Sequence, residues 1–196
     1  GFEAAVGGGI PCILALRHGL AGNRLRSIMG ILNGTTNYIL TMMRENNMPF
    51  PDALKDAQAK GFAEADPTFD IEGYDAGHKI ALLAMIAYNK NIAYRDIRIE
   101  GISHISKADI AYARDMGYVI KLLGIAKEID GKIDIRVHPT MIPEGHHLAS
   151  VRYEYNSIMF DGDMTDPVIL TGRGAGASPT ASAVLSDIVQ IAQQGP

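Results

Sequence analysis

VIKLLGIAKEIDGKIDIRVHPTMI, residues 119–142, is two runs rich in β-branched residues, VIKLLGIAKEI and KIDIRVHPTMI, on either side of Asp130-Gly131. An Asp-Gly pair between two such runs specifies a tight hairpin, because both central residues of the turn need a positive φ that Asp and Gly tolerate. Working outward, VRYEYNSIMF (151–160) and MTDPVIL (164–170) flank Asp161-Gly162-Asp163 and predict a second hairpin. Upstream, LRSIMGIL (25–32) reads as a strand and IRIEGISHI (97–105) alternates like one. Helices are predicted over 10–20, with Pro11 in the first turn and Gly22 past the end, and over 36–46, 51–60, 74–88 and 107–116. A last helix opens on Ser178 as N-cap and Pro179 at the first helical position; Ala181, Val184, Leu185, Ile188 and Ala192 form one apolar stripe along it. Strands grouped in hairpins with helices around them predict an α+β fold: a mixed, largely antiparallel sheet covered on one face by helices, in one domain over 1–196.

Composition narrows the function. The chain has 196 residues, 47% of them hydrophobic, and 18 basic against 22 acidic residues give a net charge of −4. Such a chain buries a real core without staples. Basic residues are scattered, so the electrostatic footprint of a nucleic-acid binder is missing and no nucleic-acid partner is expected. The longest apolar run, IALLAMIAY (80–88), is too short to span a bilayer, so no membrane partner is expected either. A single cysteine, Cys12, cannot form an intrachain disulfide and fits a reducing compartment; a cytoplasmic protein is expected. The opening, without Met and already apolar and glycine-rich, predicts a fragment of a longer polypeptide.

Chemistry concentrates in GFAEADPTFDIEGYDAGHK (61–79), which places Glu64, Asp66, Asp70, Glu72 and Asp75 within twelve residues ahead of a helix. Alone, this is a solvated acidic loop feeding a helix N-terminus, where the dipole favours carboxylates. Asp75 and Lys79, however, lie four apart on the stripe that continues through Leu82, Leu83 and Ile86, so the charged pair is aligned with the buried side. A lysine at the rim of a core beside a carboxylate suits a proton donor; the competing reading is a structural ion pair. In ILNGTTNYIL (31–40) a strand ends, Gly34 allows a turn, and Thr35 or Thr36 is expected to cap a helix whose free N–H groups could hold an anion. An anion held there and an ammonium held by Glu64, Asp70 or Asp75 describe an amino-acid ligand.

Two glycine-rich segments remain. TGRGAGASPTASAV (171–184) imitates a dinucleotide fingerprint but lacks the second parallel strand and distal acid of a Rossmann unit; its glycines let a backbone approach a ligand closely. EAAVGGGIP (3–11) could turn its carbonyls around a hard cation, with Glu3 as the charged ligand. The six histidines show no transition-metal spacing, and there is no nucleophile elbow.

EAAVGGGIP, GILNGTTNYIL, GFAEADPTFDIEGYDAGHKIALLA and GRGAGASPTASAVLSDI, in this order, resemble homoserine dehydrogenase over essentially the whole chain. The resemblance implies an α+β substrate-binding and catalytic domain that dimerises through its sheet, and reversible hydride transfer between NADP or NAD and a small-molecule substrate. That substrate pair is L-homoserine and L-aspartate 4-semialdehyde, on the route to threonine, methionine and isoleucine. It implies Lys79 as proton donor with Asp75 beside it in the catalytic set. Glu64, Asp70, Asp75, Gly34 and Thr35 become substrate contacts, Gly61 and Gly176 neighbours of the nicotinamide cofactor, and Glu3 with the carbonyls of Val6, Gly8 and Ile10 a monovalent-cation (sodium) site. The family's N-terminal dinucleotide-binding domain has no counterpart in these residues, so the 196 residues by themselves are expected to be inactive. The alternative is an amino-acid binding or sensing module without catalysis, which has no use for Lys79.

Overall fold

A computed structural model of the chain describes residues 1–194. Its centre is the predicted hairpin. β3 (Tyr118–Ile129) and β4 (Lys132–Pro143) pair antiparallel along their whole length, from Tyr118↔Pro143 to Ile129↔Lys132. Asp130 (φ 50°) and Gly131 (φ 76°) supply the two left-handed residues of the turn. The six-stranded sheet runs β2-β4-β3-β1-β5-β6, with β1 at Leu25–Ile31, β2 at Arg98–Ile99, β5 at Tyr155–Gly162 and β6 at Val168–Arg173. Only β2 against β4 is parallel, so the sheet is mixed and largely antiparallel as expected.

The helices are α1 (Cys12–Leu14), α2 (Gly34–Glu45), α3 (Phe50–Ala59), α4 (Thr68–Ile71), α5 (Tyr74–Tyr88), α6 (Lys107–Asp115) and α7 (Ala177–Gln194). The main core lies on the helical face of the sheet, around Ile28, Leu32, Ile80, Leu83, Leu122, Ile158 and Phe160. Gly124 of β3 lets α5 come close: a Cβ there would stand 3.1 Å from Ile80 Cβ. The opposite face carries a smaller cluster, Ile31, Val119, Leu123, Ile125 and Ile142, over which Leu148 and Val151 close.

α2 is buried nearly all round, polar residues included. Its buried groups are all partnered: Thr41 Oγ1 donates to Asn37 O (2.7 Å), and Asn37 Nδ2 donates to Tyr153 O (2.8 Å) and Tyr155 O (3.1 Å).

Several expectations are corrected. The helix expected over 10–20 is only α1 followed by a π turn, Ala15–Gly19, and Pro11 precedes it as N-cap. The alternation of 97–105 yields two paired residues. Gly101 instead lies against the end of α4, where a Cβ would be 2.3 Å from Ile71 O, and Ile102 N donates to that carbonyl (2.8 Å). Ile102 and Ile105 are thus buried by a turn and not by a strand.

The turn of the second hairpin lies beyond Gly162, because Asp161 pairs with Ser27 and Gly162 with Leu25 of β1. Asp163 then anchors the turn by accepting from Arg24 N (2.9 Å) and donating to Arg24 O (3.1 Å). Residues 151–154 are not strand, Tyr153 sitting at φ 55°. α7 starts at Ala177, with Ser178 and Pro179 inside its first turn and Thr180 N donating to Gly176 O. Its apolar stripe does not face the core: Val184, Leu185 and Ile188 are exposed, and Ala183 is the buried residue.

Candidate active site

The acidic loop, the start of α2 and the glycine loop after β6 converge on one cleft of about 460 Å³. α5 begins at Gly73, whose φ of 82° turns the chain sharply enough to aim the first helical turn into that cleft. Asp75 and Lys79 project from successive turns, each with about one-fifth of its side chain exposed. Lys79 Nζ donates to Asp75 Oδ2 (2.7 Å) and to Leu32 O (3.0 Å), the carbonyl that follows β1. An ammonium has three donors; the third has no partner among the described residues, and Lys79 lines the cleft.

The cap of α2 is neither Thr35 nor Thr36 but Asn33. Its Oδ1 accepts from Thr36 N (2.9 Å), while Nδ2 donates to both Asp70 Oδ1 (2.8 Å) and Asp75 Oδ2 (2.9 Å). One carboxamide therefore terminates a helix and binds two carboxylates from two other elements. Thr35 Oγ1 donates to Phe62 O (2.6 Å) and lies 3.0 Å from Asp70 Oδ2. The start of α2 thus already carries the chain's own Asp70. Gly34 packs directly under the backbone of Glu154, where a Cβ would meet Glu154 O at 2.7 Å. Glu64 lines the same cleft with no ion-pair partner among the described residues.

At the rim, Lys60 donates to Asp56 and to Tyr38 Oη (2.7 Å). Those bonds hold Lys60 well above the usual ammonium range and Asp56 below the usual carboxylate range, while burial and then Asp56 raise the Tyr38 phenol.

Gly61 (φ 76°) has open space where a side chain would stand, and Gly176 (φ 115°) lines the same cleft. Gly174 lies flat on the carboxamide of Asn156, where a Cβ would come within 2.1 Å of Cγ. Asn156 is 1% exposed and lines the cleft, and its buried Oδ1 has no partner among the described residues. An open glycine-walled slot beside an orphaned amide is what a flat carboxamide-bearing ring such as nicotinamide requires, so the residues present fit that group. Asn33, Asn156, Glu154 and Arg173 escape sequence reasoning. Only Asn33, three residues before Thr36, carries a local signal, that of an N-cap.

The residues expected around a cation lie away from the cleft, beneath the glycine loop. Glu3 is buried, and its carboxylate accepts from Ile13 N (2.9 Å) and Leu14 N (2.8 Å), capping α1. Val6 O accepts from Cys12 Sγ and Ile10 O from Cys12 N. At Gly8 a Cβ would stand 2.5 Å from Gly174 O, so this segment supports the loop at the cleft. Burial, reinforced by the charge of Glu3, pushes the Cys12 thiol up to about 12. Glu3 has no basic side-chain partner among the described residues, and its two oxygens are each taken by one backbone N–H.

Comparison with known proteins bears on this arrangement. The sequence model of the homoserine dehydrogenase family matches residues 11–189. The chain is 53% identical over 192 residues to homoserine dehydrogenase of Neisseria gonorrhoeae, covering 98% of this chain and 44% of that protein. The crystal structure of a homoserine dehydrogenase from Thiobacillus denitrificans superposes with a TM-score of 0.94 at 50% identity, over 96% of this chain and 44% of that one. A hyperthermophilic archaeal homoserine dehydrogenase mutant in complex with NADPH superposes with a TM-score of 0.83 at 30% identity, over 100% of this chain and 56% of that one. The chain thus spans less than half the length of the curated relatives it matches.

Proposed function

The chain belongs to the homoserine dehydrogenase family, and on that premise we propose that residues 1–196 are the substrate-binding and catalytic domain of an enzyme interconverting L-homoserine and L-aspartate 4-semialdehyde. The observation that carries this reading is the Lys79 ammonium. It is clamped on Asp75 and Leu32 O with one donor left for the cleft, whose lining also includes Glu64, Asp70 and Asp75.

The division of labour follows from charge. Glu64, with no ion-pair partner, takes the substrate ammonium, and Asp70, positioned by Asn33 and Thr35, reinforces it. Lys79 then delivers its free proton to the aldehyde oxygen as that oxygen becomes a hydroxyl, and removes it in the reverse direction. Asp75 aims Lys79 and fixes its rotamer through a 2.7 Å charge-assisted bond. Gly61, Gly176 and Asn156 would hold NADP or NAD, which when bound supplies the hydride. The dinucleotide-binding portion lies outside these residues in this reading, and 1–196 by themselves are inactive.

A sodium ion on Glu3 and the Val6, Gly8 and Ile10 carbonyls would brace the segment beneath Gly174. Homodimerisation would use the sheet face opposite the helices, where Met29 is half-buried beside the smaller cluster. No helix among the described residues is long and apolar enough to cross a membrane; a cytoplasmic setting fits the free thiol of Cys12. The reading is tested on the full-length gene product by titration calorimetry with L-homoserine, with L-serine as control. Selective binding, weakened at least about tenfold (1.4 kcal/mol) in Glu64→Ala, is expected; equal affinity in that variant overturns it.

A further inference from the structure

A second cavity, of about 280 Å³, lies between α2, β3 and residues 144–152 and shares no lining residue with the cleft. Lys121 of β3 reaches into it and is only 3% exposed. Its Nζ donates to Asn37 Oδ1 (2.8 Å) and Val151 O (2.5 Å), both neutral, and no carboxylate touches it among the described residues. The charged groups around it come from α2 and from the covering segment, and they are already matched. Arg152 pairs with Glu45 (2.9 Å), and Arg44 pairs with Glu144 while donating to Tyr118 O. Two rim ion pairs cancel and one positive charge is left on the cavity floor.

A buried charge is normally paired or made neutral. Burial, and after it the like charge of Arg44, indeed pushes Lys121 down to about 8, so at neutral pH the ammonium persists without a counter-charge. An ammonium has three donors, and the third has no partner among the described residues. Leu40, Val119 and Ala149 give the cavity an apolar part, and Thr41, Ser150 and the two ion pairs make the rest of its wall polar. The space is several times that of a single water, whose share of liquid volume is about 30 Å³.

We propose that this cavity binds a short aliphatic monocarboxylate, with its carboxylate on Lys121 and its carbon tail against Leu40, Val119 and Ala149. One net positive charge at the floor calls for a monoanion, and the patch of Leu40, Val119 and Ala149 gives room for a short tail that a bare oxyanion would leave uncovered. Asn37 shares α2 with Thr35, so the occupant would sit on the same rigid helix that carries part of the cleft.

The test uses the full-length gene product and sodium propionate as probe, against sodium chloride and sodium formate at matched ionic strength, reading the melting temperature. A saturable rise with propionate, larger than with formate and absent with chloride, is expected in the wild type and in Lys79→Ala. Lys121→Met keeps the stem and removes the charge, and should weaken half-saturation at least about tenfold. Ala149→Leu keeps the lysine and fills the cavity, and should abolish the saturable rise even if Lys121→Met does not fold. Propionate acting no differently from chloride, or equally on wild type and Ala149→Leu, overturns the proposal.

Discussion

Lys79 and Lys121 are both anchored lysines, and their surroundings are opposite. Lys79 keeps about one-fifth of its side chain in solvent and has a carboxylate at 2.7 Å. Lys121 is almost wholly buried and has only an amide and a carbonyl oxygen. A partly exposed, ion-paired lysine has its charge compensated by a neighbour and can reach what enters the cleft. A buried one with neutral partners bears a desolvation cost that no carboxylate in contact offsets. The roles proposed for the two therefore follow from the partner, not from the residue type: a proton moved at the first lysine, an anion held at the second.

The comparison breaks most sharply at Lys79. In the full-length protein Lys79→Ala should lower kcat by at least about 10²-fold, the lower range for loss of a general acid, with a much smaller change in KM. Near-normal turnover would remove Lys79 from the proton-donor role and with it the distinction drawn here.

Lys121 should show itself in stability. Its unfolded value is 10.5 and its folded value about 8. Between these the unfolded chain binds more protons, so stability rises with pH; the cost is fully present below pH 8 and gone above 10.5. From pH 8 to 9.5 the wild type should gain about 1–2 kcal/mol relative to Lys121→Met by denaturant unfolding. Tyr88, pushed up to about 12 by burial and then by Glu128, acts in the opposite sense only above about pH 10. A flat difference between the two proteins would mean that Lys121 is neutralised by other means.

The smallest effect is expected at Asn33. Asn33→Ala removes the cap of α2 and the shared donor of Asp70 and Asp75, costing about 1 kcal/mol in thermal unfolding. It should raise KM more than it lowers kcat, since Lys79 keeps both of its bonds. A kcat loss as large as that of Lys79→Ala would show that the acids, and not the lysine, are the critical element.

What was legible in the sequence had local causes. The hairpin over 119–142 declared itself through the Asp130-Gly131 turn, and Asp75 with Lys79 through helical spacing. Residues 97–105 misled because the alternation of Ile97 and Ile99 stops at Gly101, and Ile102 and Ile105 are buried by a turn against Ile71. Asn33 was hidden because its partners lie 37 and 42 residues away. Asn156, Glu154 and Arg173 reach the cleft only because β5 lies beside β1 in the sheet, and no spacing within one strand announces that. The stripe on α7 was read correctly as apolar, but periodicity says nothing about which face of a helix is covered.

That stripe has a practical consequence. Val184, Leu185, Ile188 and Ile191 put bare hydrocarbon on one side of a long helix, beside the first residues of the chain, since Asp187 on the same helix accepts from Glu3 N. Handled by itself, this polypeptide would meet hydrophobic resins, detergents and chaperones through α7 first, and its colloidal behaviour in concentrated solution would be decided there.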